Sequence, residues 1–428
     1  MSIISKCLKW LRHSLRNAVV FPLSFIMPRS RHKWLFGSNM GFAGNAKYLF
    51  IYLNEHPDEG IRPLWIAKNR QELKQMKAMG LEAFRRWSAK GTYHALTSKY
   101  YLYNSYATDL HTVAMGRAVK VNLWHGVGIK NIEYAISLGP LHHVLYTDSL
   151  RQRIDNNWHF IKPDIFLSTS PMMTRHFANC FRIPQEACIE SAYPRNLIFK
   201  ADKKDITAMM HRYESEPTCA TLDKAMQFKH IYIYLPTMRD SGGDFFKSIG
   251  WDFNDINNAL KASNSCLIIK THPITKLDIS AFEYSNIFTV DKDADVYPIL
   301  ALSDTLITDY SSVYYDYILM PGKETLLLIP DIKEYMSTDR DLAFPFHEMT
   351  AGKKLLSTAE LADHIRSGGE PSAEEQKRNR EIASLFWAFP DDSCHELICK
   401  IKDLPVRKGS VWFVDILKCQ PRITPRHN

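Results

Sequence analysis

The feature that most constrains the fold is a series of short, almost unbroken apolar runs, each ending in residues that carry chemistry. "KVNLWHG" (120–126) ends in His125 and Gly126, "DIFLSTS" (164–170) in hydroxyls, and "HIYIYLPTMRD" (230–240) in Arg239 and Asp240. "SCLIIKTHP" (265–273) runs into Lys270 and His272, and "DTLITDYSS" (304–312) into Asp309, Ser311 and Ser312; "ETLLLIP" (324–330) closes the series. Near-continuous apolar runs of this length read as strands buried on both faces, the habit of parallel sheets covered by helices. Helical patterns lie between them, at 71–80, 254–263 and 312–320. The alternation predicts an α/β fold with doubly wound parallel sheets. Ligands of such sheets bind beyond the carboxyl ends of the strands, where the polar endings would collect.

At 428 residues the chain is long for one compact domain and of a size for two. The charged, weakly patterned stretch 200–226 divides the strand series. The domains are accordingly placed at 34–205 and 206–428, both Rossmann-like, with 1–33 a separate basic segment. The charged pattern "EPSAEEQKRNREIASLFWAF" (370–389) predicts a helix that can cross back to the first domain.

Charge matters here through its location. Lys6, Lys9, Arg12, Arg16, Arg29, Arg31, Lys33 and Lys47 all precede the first acidic residue, Glu55, and these eight equal the whole net charge of +8. The body is balanced and the excess sits in one arm, which argues against a nucleic-acid-binding surface. In that arm Ile4, Cys7, Leu8, Leu11, Leu15, Ala18 and Val19 recur at helical spacing with basic residues between them. This predicts an amphipathic helix lying on an anionic membrane surface, with a helix simply docked on the protein as the alternative. The apolar run after Asn17 is interrupted by Pro22 and Pro28 and is too short to span a bilayer. A basic start with an apolar centre also suits a signal peptide, but no small-x-small cleavage site follows, and "KWLFGS" resumes fold-like sequence. The eight cysteines are scattered without a CxxC pair, so neither a zinc ribbon nor a dithiol redox site is indicated, and they read as free thiols of a reducing compartment.

Four constellations carry the chemistry. In "TDYSSVYYDYILM", Thr308 and Asp309 end a strand, and Ser311 or Ser312 is placed to cap the next helix; N–H groups and hydroxyls there suit a diphosphate. Arg239 leaves a strand end where a guanidinium can clamp phosphate oxygens, although pairing with Asp240 serves it equally. His272 is aimed by the rigid His-Pro step of "KTHP". His125 has the pKa range of a general base, and its glycine neighbours allow close approach by a substrate. Lys130 and Gly126 are candidate acceptor or phosphate contacts. Any one of these residues is more often structural, but two histidines, an arginine and a serine-tipped turn, all at strand ends, point together to phosphoryl chemistry. No carboxylate cluster calls for a metal, and no cofactor is indicated.

In this order the motifs resemble those of the CDP-glycerol glycerophosphotransferase family, the teichoic acid glycerol-phosphate primases and polymerases. The resemblance begins at "WLFGSNMGFAGNAKYLFIYL" and continues through "LWHG", "AYPRN" (192–196), "YLPTMRD", "KTHP" and "LITDYSSVYYDYILM". It implies a GT-B arrangement of two Rossmann-like domains with a cleft between them. The second domain would hold a CDP-alditol donor, CDP-glycerol first and CDP-ribitol next, and the first a lipid-linked saccharide acceptor at the cytoplasmic face of the membrane. The acceptor hydroxyl would attack the phosphorus next to the alditol and CMP would leave, building a teichoic-, capsule- or O-antigen-type polymer. By the same resemblance His125 would be the catalytic base, His272 and Arg239 would stabilise phosphate charge, and Thr308, Ser311 and Ser312 would cradle the diphosphate, with Asp309 and Asp316 near it.

This sequence departs from the family pattern in three places. Val127 and Gly128 stand where Thr-Pro is usual, "PDDSCHELI" (390–398) lacks the closing arginine, and "EMTAGKKLLSTAEL" replaces a proline-glycine turn. Two other readings compete: a GT-B glycosyltransferase using a nucleotide sugar, and a catalytically silent membrane-surface binding protein.

Overall fold

The computed structural model describes the chain except for residues 1–2, 138, 238–245, 247–248, 271–283, 292, 333–334, 336–340 and 406–428, and only the backbone of 3–13 and 139–141. Among the described residues two parallel sheets account for the strands. The first contains β1 (Ser30–Gly37), β2 (Arg62–Ala67), β3 (Ala83–Arg85), β4 (Ser98–Tyr103), β5 (Val119–Asn122), β6 (Ile165–Ser168) and β7 (Cys188–Glu190). Its spatial order is β3-β2-β1-β4-β5-β6-β7. The second contains β8 (His230–Leu235), β9 (Ser265–Ile269), β10 (Ile287–Thr289), β11 (Thr305–Thr308), β12 (Glu324–Leu328) and β13 (Lys353–Leu355), in the order β10-β9-β8-β11-β12-β13. Each order reverses once, between β1 and β4 and between β8 and β11, and those reversals open the crevices in which doubly wound sheets bind ligands.

The strands form where the sequence is apolar on both faces. Every residue of β9 and β12 is buried, and Trp34, Leu35 and Phe36 of β1 are fully shielded. The two sheets share a continuous core: residues from the first, such as Trp34, Val121 and Phe166, pack in one cluster with Tyr310, Tyr314 and Leu327 of the second. Late helices add to that cluster. Ile382 and Phe386 of the helix Ala373–Phe386, and Leu397, Ile398 and Ile401 of the helix Cys394–Asp403, join it. Thr169, beyond β6, donates its hydroxyl to Phe386 O at 2.6 Å and accepts from Ala388 N at 2.8 Å, so the chain returns to the first sheet after completing the second.

The stretch 200–226 forms two capped helices. Asp202 caps Lys203–Tyr213, and Ser215 caps Glu216–Ala225. Their buried residues, Ile206, Met210 and Tyr213, then Cys219, Leu222 and Ala225, are spaced for one helical face.

The N-terminal helix extends from Ile3 to Ile26, straight through Pro22. Proline there forfeits one i→i−4 hydrogen bond, and docking of the inner face offsets the loss. Val20 and Ser24 are buried, and the chain passes so close at Gly116 that a Cβ there would lie 2.4 Å from Ser24 Oγ. Arg29, just past the helix, donates to Ala95 O at 2.9 Å and Ser98 O at 2.7 Å, pinning the helix end to the first sheet. The outer face is different: Leu15, Val19 and Ile26 are 61%, 60% and 70% exposed. Among the described residues no helix is long and apolar enough to cross a membrane.

Candidate active site

A cavity of about 470 Å³ opens between the carboxyl ends of β5 in the first sheet and of β8 and β11 in the second. The loop Trp124–Lys130 and His176 wall it on one side, and Thr237, Tyr310, Ser311, Ser312 and Tyr335 on the other.

The wall that carries His125 is built from the backbone outward. As β5 ends, Asn122 Oδ1 accepts from Trp124 N at 2.9 Å, and Asn45 Nδ2 donates to the carbonyls of Leu123 (2.9 Å) and Trp124 (3.0 Å). Trp124 is held at φ +51°, a left-handed conformation that costs a side-chain-bearing residue about 1–2 kcal/mol. Its ring packs on Phe181 and lies 4.0 Å, centroid to centroid, from the His125 imidazole. His125 Nδ1 sits 3.0 Å from Asn104 O. A carbonyl can only accept, so Nδ1 carries the hydrogen and the neutral ring keeps its lone pair on Nε2.

His125 is partly exposed at the cavity wall, yet the atoms packed around its ring keep its pKa down at about 4. Loss of hydration is the main cause; the Arg195 charge lowers it further, while the Asn104 carbonyl and Glu133 oppose. The imidazole is therefore neutral and able to accept a proton at neutral pH. Glycine at 126 serves a purpose other than substrate approach: a Cβ there would lie 2.9 Å from Ser312 Oγ, so Gly126 lets the two walls touch.

The opposite wall uses the strand-order reversal of the second sheet. Thr308 is fully buried and donates to Leu235 O at 2.7 Å. Both Asp309 oxygens accept from Thr237 N at 3.0 Å, and one accepts from Tyr310 N at 2.6 Å. Thr308 and Asp309 thus staple β11 to β8 behind the wall. The helix that follows is a short one, Val313–Tyr317, and Ser312 makes no cap bond to it. Ser311 Oγ accepts from Val313 N only at 3.4 Å, so neither hydroxyl is spent on strong capping, and both serines line the cavity.

The structure thus brings His125, Gly126, Lys130, Ser311 and Ser312 together around one space. It places Thr308 and Asp309 behind that space, and Asp316 deeper still, fully buried against Arg195. Arg239 and His272 lie outside the described residues.

Sequence reasoning did not single out His176, Tyr310 or Tyr335. His176 sits on the helix Pro171–Phe181, and burial lowers its pKa to about 4. Nothing in its local sequence separates it from the other histidines. Tyr310 and Tyr335 stack 3.9 Å apart at 10°, and Lys130 Nζ lies 5.4 Å from the Tyr335 ring. The signal for Tyr310 was present in "TDYSS", between residues chosen for their polarity.

A larger cavity, about 760 Å³, lies beside Phe42, Lys68, Arg212 and Asp291 and contains none of the residues picked out from the sequence. Among the described residues no group of three or more His, Cys, Asp or Glu side chains is arranged to hold a metal ion.

One titration follows from this geometry. If His125 serves as a base beside a bound dianionic ligand, that ligand favours the imidazolium and raises its pKa, while a base works only when neutral. The acid limb of kcat/KM, which reports the free enzyme, should therefore lie at lower pH than the acid limb of kcat, which reports the loaded enzyme. Coincident limbs in a pH-rate series would contradict the assignment.

Comparison with known proteins places the chain among relatives. A family model described as CDP-glycerol:poly(glycerophosphate) glycerophosphotransferase matches residues 19–401. The teichoic acid poly(glycerol phosphate) polymerase of Bacillus spizizenii is 26% identical over 87% of this chain and 91% of its own length. The teichoic acid ribitol-phosphate primase of the same organism is 25% identical over 72% of this chain and 75% of its own. Among solved structures, the wall teichoic acid polymerase TagF superposes with a TM-score of 0.68 at 19% identity, covering 97% of this chain and 99% of that one, which shows a shared fold.

Proposed function

The chain belongs to the CDP-glycerol:poly(glycerophosphate) glycerophosphotransferase family, and from that premise we propose that the cavity between the two sheets is where an alditol phosphate passes from a CDP-alditol to an acceptor hydroxyl. The observation that carries this reading is the meeting of His125, its lone pair fixed on Nε2, with the hydroxyls of Ser311 and Ser312 across one cavity. The serines take the diphosphate, and Lys130 approaches it from the facing wall. His125 Nε2 accepts the proton of the acceptor hydroxyl as its oxygen attacks the alditol-side phosphorus. The phosphorus–oxygen bond of the anhydride breaks, and CMP leaves with the bridging oxygen and the electron pair. One phosphodiester is formed, and the proton passes from the imidazole to solvent. Positioning and charge neutralisation do most of the work in such transfers, and Arg239 and His272 are assigned to the phosphate charge by their motifs.

CDP-glycerol is the donor we favour. Glycerol- and ribitol-phosphate relatives are almost equally similar to this chain, 26% and 25% identical, so the alditol has to be settled by assay. The acceptor is assigned as a lipid-linked saccharide. The exposed stripe of Leu15, Val19 and Ile26, at helical spacing, is assigned to contact with the anionic inner face of the cell membrane.

The test is CMP release by the full chain given CDP-glycerol, CDP-ribitol or a nucleotide sugar, with a membrane extract as acceptor. Acceptor-dependent CMP from one CDP-alditol is expected. Turnover of a nucleotide sugar with silence on both CDP-alditols would overturn the reading in favour of a glycosyltransferase.

A further inference from the structure

Arg195, in "AYPRN", faces away from the cavity and is buried with its partner Asp316; their side chains are 4% and 0% exposed. One end of its fork, Nη2, donates to both Asp316 oxygens, at 3.1 and 3.0 Å. The other, Nη1, donates to the main-chain carbonyl of His125 at 2.7 Å. Its own N–H reaches Asn45 Oδ1 at 3.4 Å, and Asn45 in turn holds the Leu123 and Trp124 carbonyls. Asp316 lies on the short helix that follows the Ser311–Ser312 turn. A single guanidinium thus links the backbone of the proposed base, on the first sheet, to the helix behind the donor-side hydroxyls, on the second.

Geometry, more than stability, explains such an arrangement. A buried ion pair often gains little over well-packed apolar residues of the same volume. A planar, two-ended fork, by contrast, fixes the distance and angle between the groups it joins, which a lysine cannot reproduce. The link also has strain to hold in place. Trp124 is left-handed, and if the carbonyls around it were released the peptide could relax and carry the imidazole with it.

We infer that Arg195 and Asp316 are positioning residues that set the register of the His125 loop against the Ser311–Ser312 turn. The inference rests on the assignment of His125 as base, and neither residue touches substrate.

Three variants separate this role from a merely structural one: Arg195→Met, Arg195→Lys and Asp316→Asn, each assayed for donor affinity by calorimetry with CDP-glycerol and for kcat and kcat/KM across pH. All three should lose about 100-fold in kcat, the scale of a displacement near 1 Å, while the donor dissociation constant stays within about threefold. The groups acting on the His125 ring are Arg195, Glu133, the Asn104 carbonyl and the Ser105 hydroxyl, 3.3 Å from Nδ1, with Lys130 and His176 on the cavity wall. Removing the Arg195 charge should move the acid limb of kcat/KM to higher pH in Arg195→Met. Arg195→Lys keeps the charge and should leave the limb in place despite its lost kcat. Asp316→Asn leaves Arg195 uncompensated and should move the limb the other way.

Near-normal kcat in Arg195→Met and Asp316→Asn would overturn the inference, as would losses that merely follow a lowered melting temperature with the limb unmoved in every variant. His125→Gln is measured alongside. If His125→Gln keeps turnover, the assignment of the base falls; if it is inactive while the Arg195 and Asp316 variants are normal, only this inference falls.

Discussion

Alanine at His125 should lower kcat by about 10²–10⁴-fold, the usual contribution of a positioned general base, while CDP-glycerol binding and the folded state persist. The fold persists because the loop is held through its backbone. Asn122 holds Trp124 N, Asn45 holds two carbonyls, and Arg195 holds the His125 carbonyl, none of them through the imidazole. What the variant loses is the ring's packing on Trp124, worth about 0.5–1.5 kcal/mol for an aromatic pair, the Nδ1 hydrogen bond to the Asn104 carbonyl, and the Nε2 lone pair. Glutamine at the same position restores a polar group of similar reach but no basic lone pair, so His125→Gln should be as inactive as alanine. Single-turnover assays with saturating donor check this. Turnover within tenfold of the parent would remove His125 from the chemistry.

The largest expected effect on stability lies elsewhere, at Lys47. Its side chain is fully buried and forms ion pairs with Glu214 and with Asp295, the latter at 2.9 Å. Asp295 also caps the helix Val296–Leu302, and its own N–H donates to Glu214, so one ammonium ties that capped helix to the helix Gly44–Glu55, which carries Lys47. Burial raises the Glu214 pKa and Lys47 pulls it back. Lys47→Met leaves two carboxylates facing each other without a cation, and breaking a buried pair in this way destabilises by about 3–5 kcal/mol. The sign with pH is defined. Carboxylates whose folded pKa is raised lose stability as pH rises from their unfolded range through the folded value. The deficit of Lys47→Met relative to the parent should therefore be largest near pH 8 and shrink toward pH 5. Urea midpoints at the two pH values test it, and an unchanged midpoint at pH 8 would contradict it.

These two predictions mark what could and could not be read from the chain. Each of the six apolar runs became a strand, because a short, nearly unbroken apolar run bounded by turn residues suits a strand buried on both faces. Strands such as β2 ("RPLWIA") and β4 ("SKYYLY") carry proline, serine or lysine among their apolar residues and gave no such signal. The three-residue strands β3, β7, β10 and β13 are too short for any periodicity to register. His125 and the paired serines were legible because strand ends and turn residues are local. Asp316 was read as a donor contact because it lies in the same motif as the serines; its true surroundings depend on Arg195, more than a hundred residues away. Gly126 was read as space for a substrate, and only the meeting of the two sheets reveals Ser312 in that space. Pro22 was read only as interrupting the apolar run, because sequence cannot show the docked face that lets the helix continue through it. His176 reaches the cavity through tertiary packing alone.

The most direct test of the central claim is a crystal structure of the full chain with CDP-glycerol bound. The diphosphate should lie within hydrogen-bond reach of the Ser311 and Ser312 hydroxyls, with the alditol-side phosphorus facing His125 Nε2 across room for one hydroxyl. A donor seated instead in the larger cavity beside Lys68 and Arg212 would contradict both the site and the roles built on it.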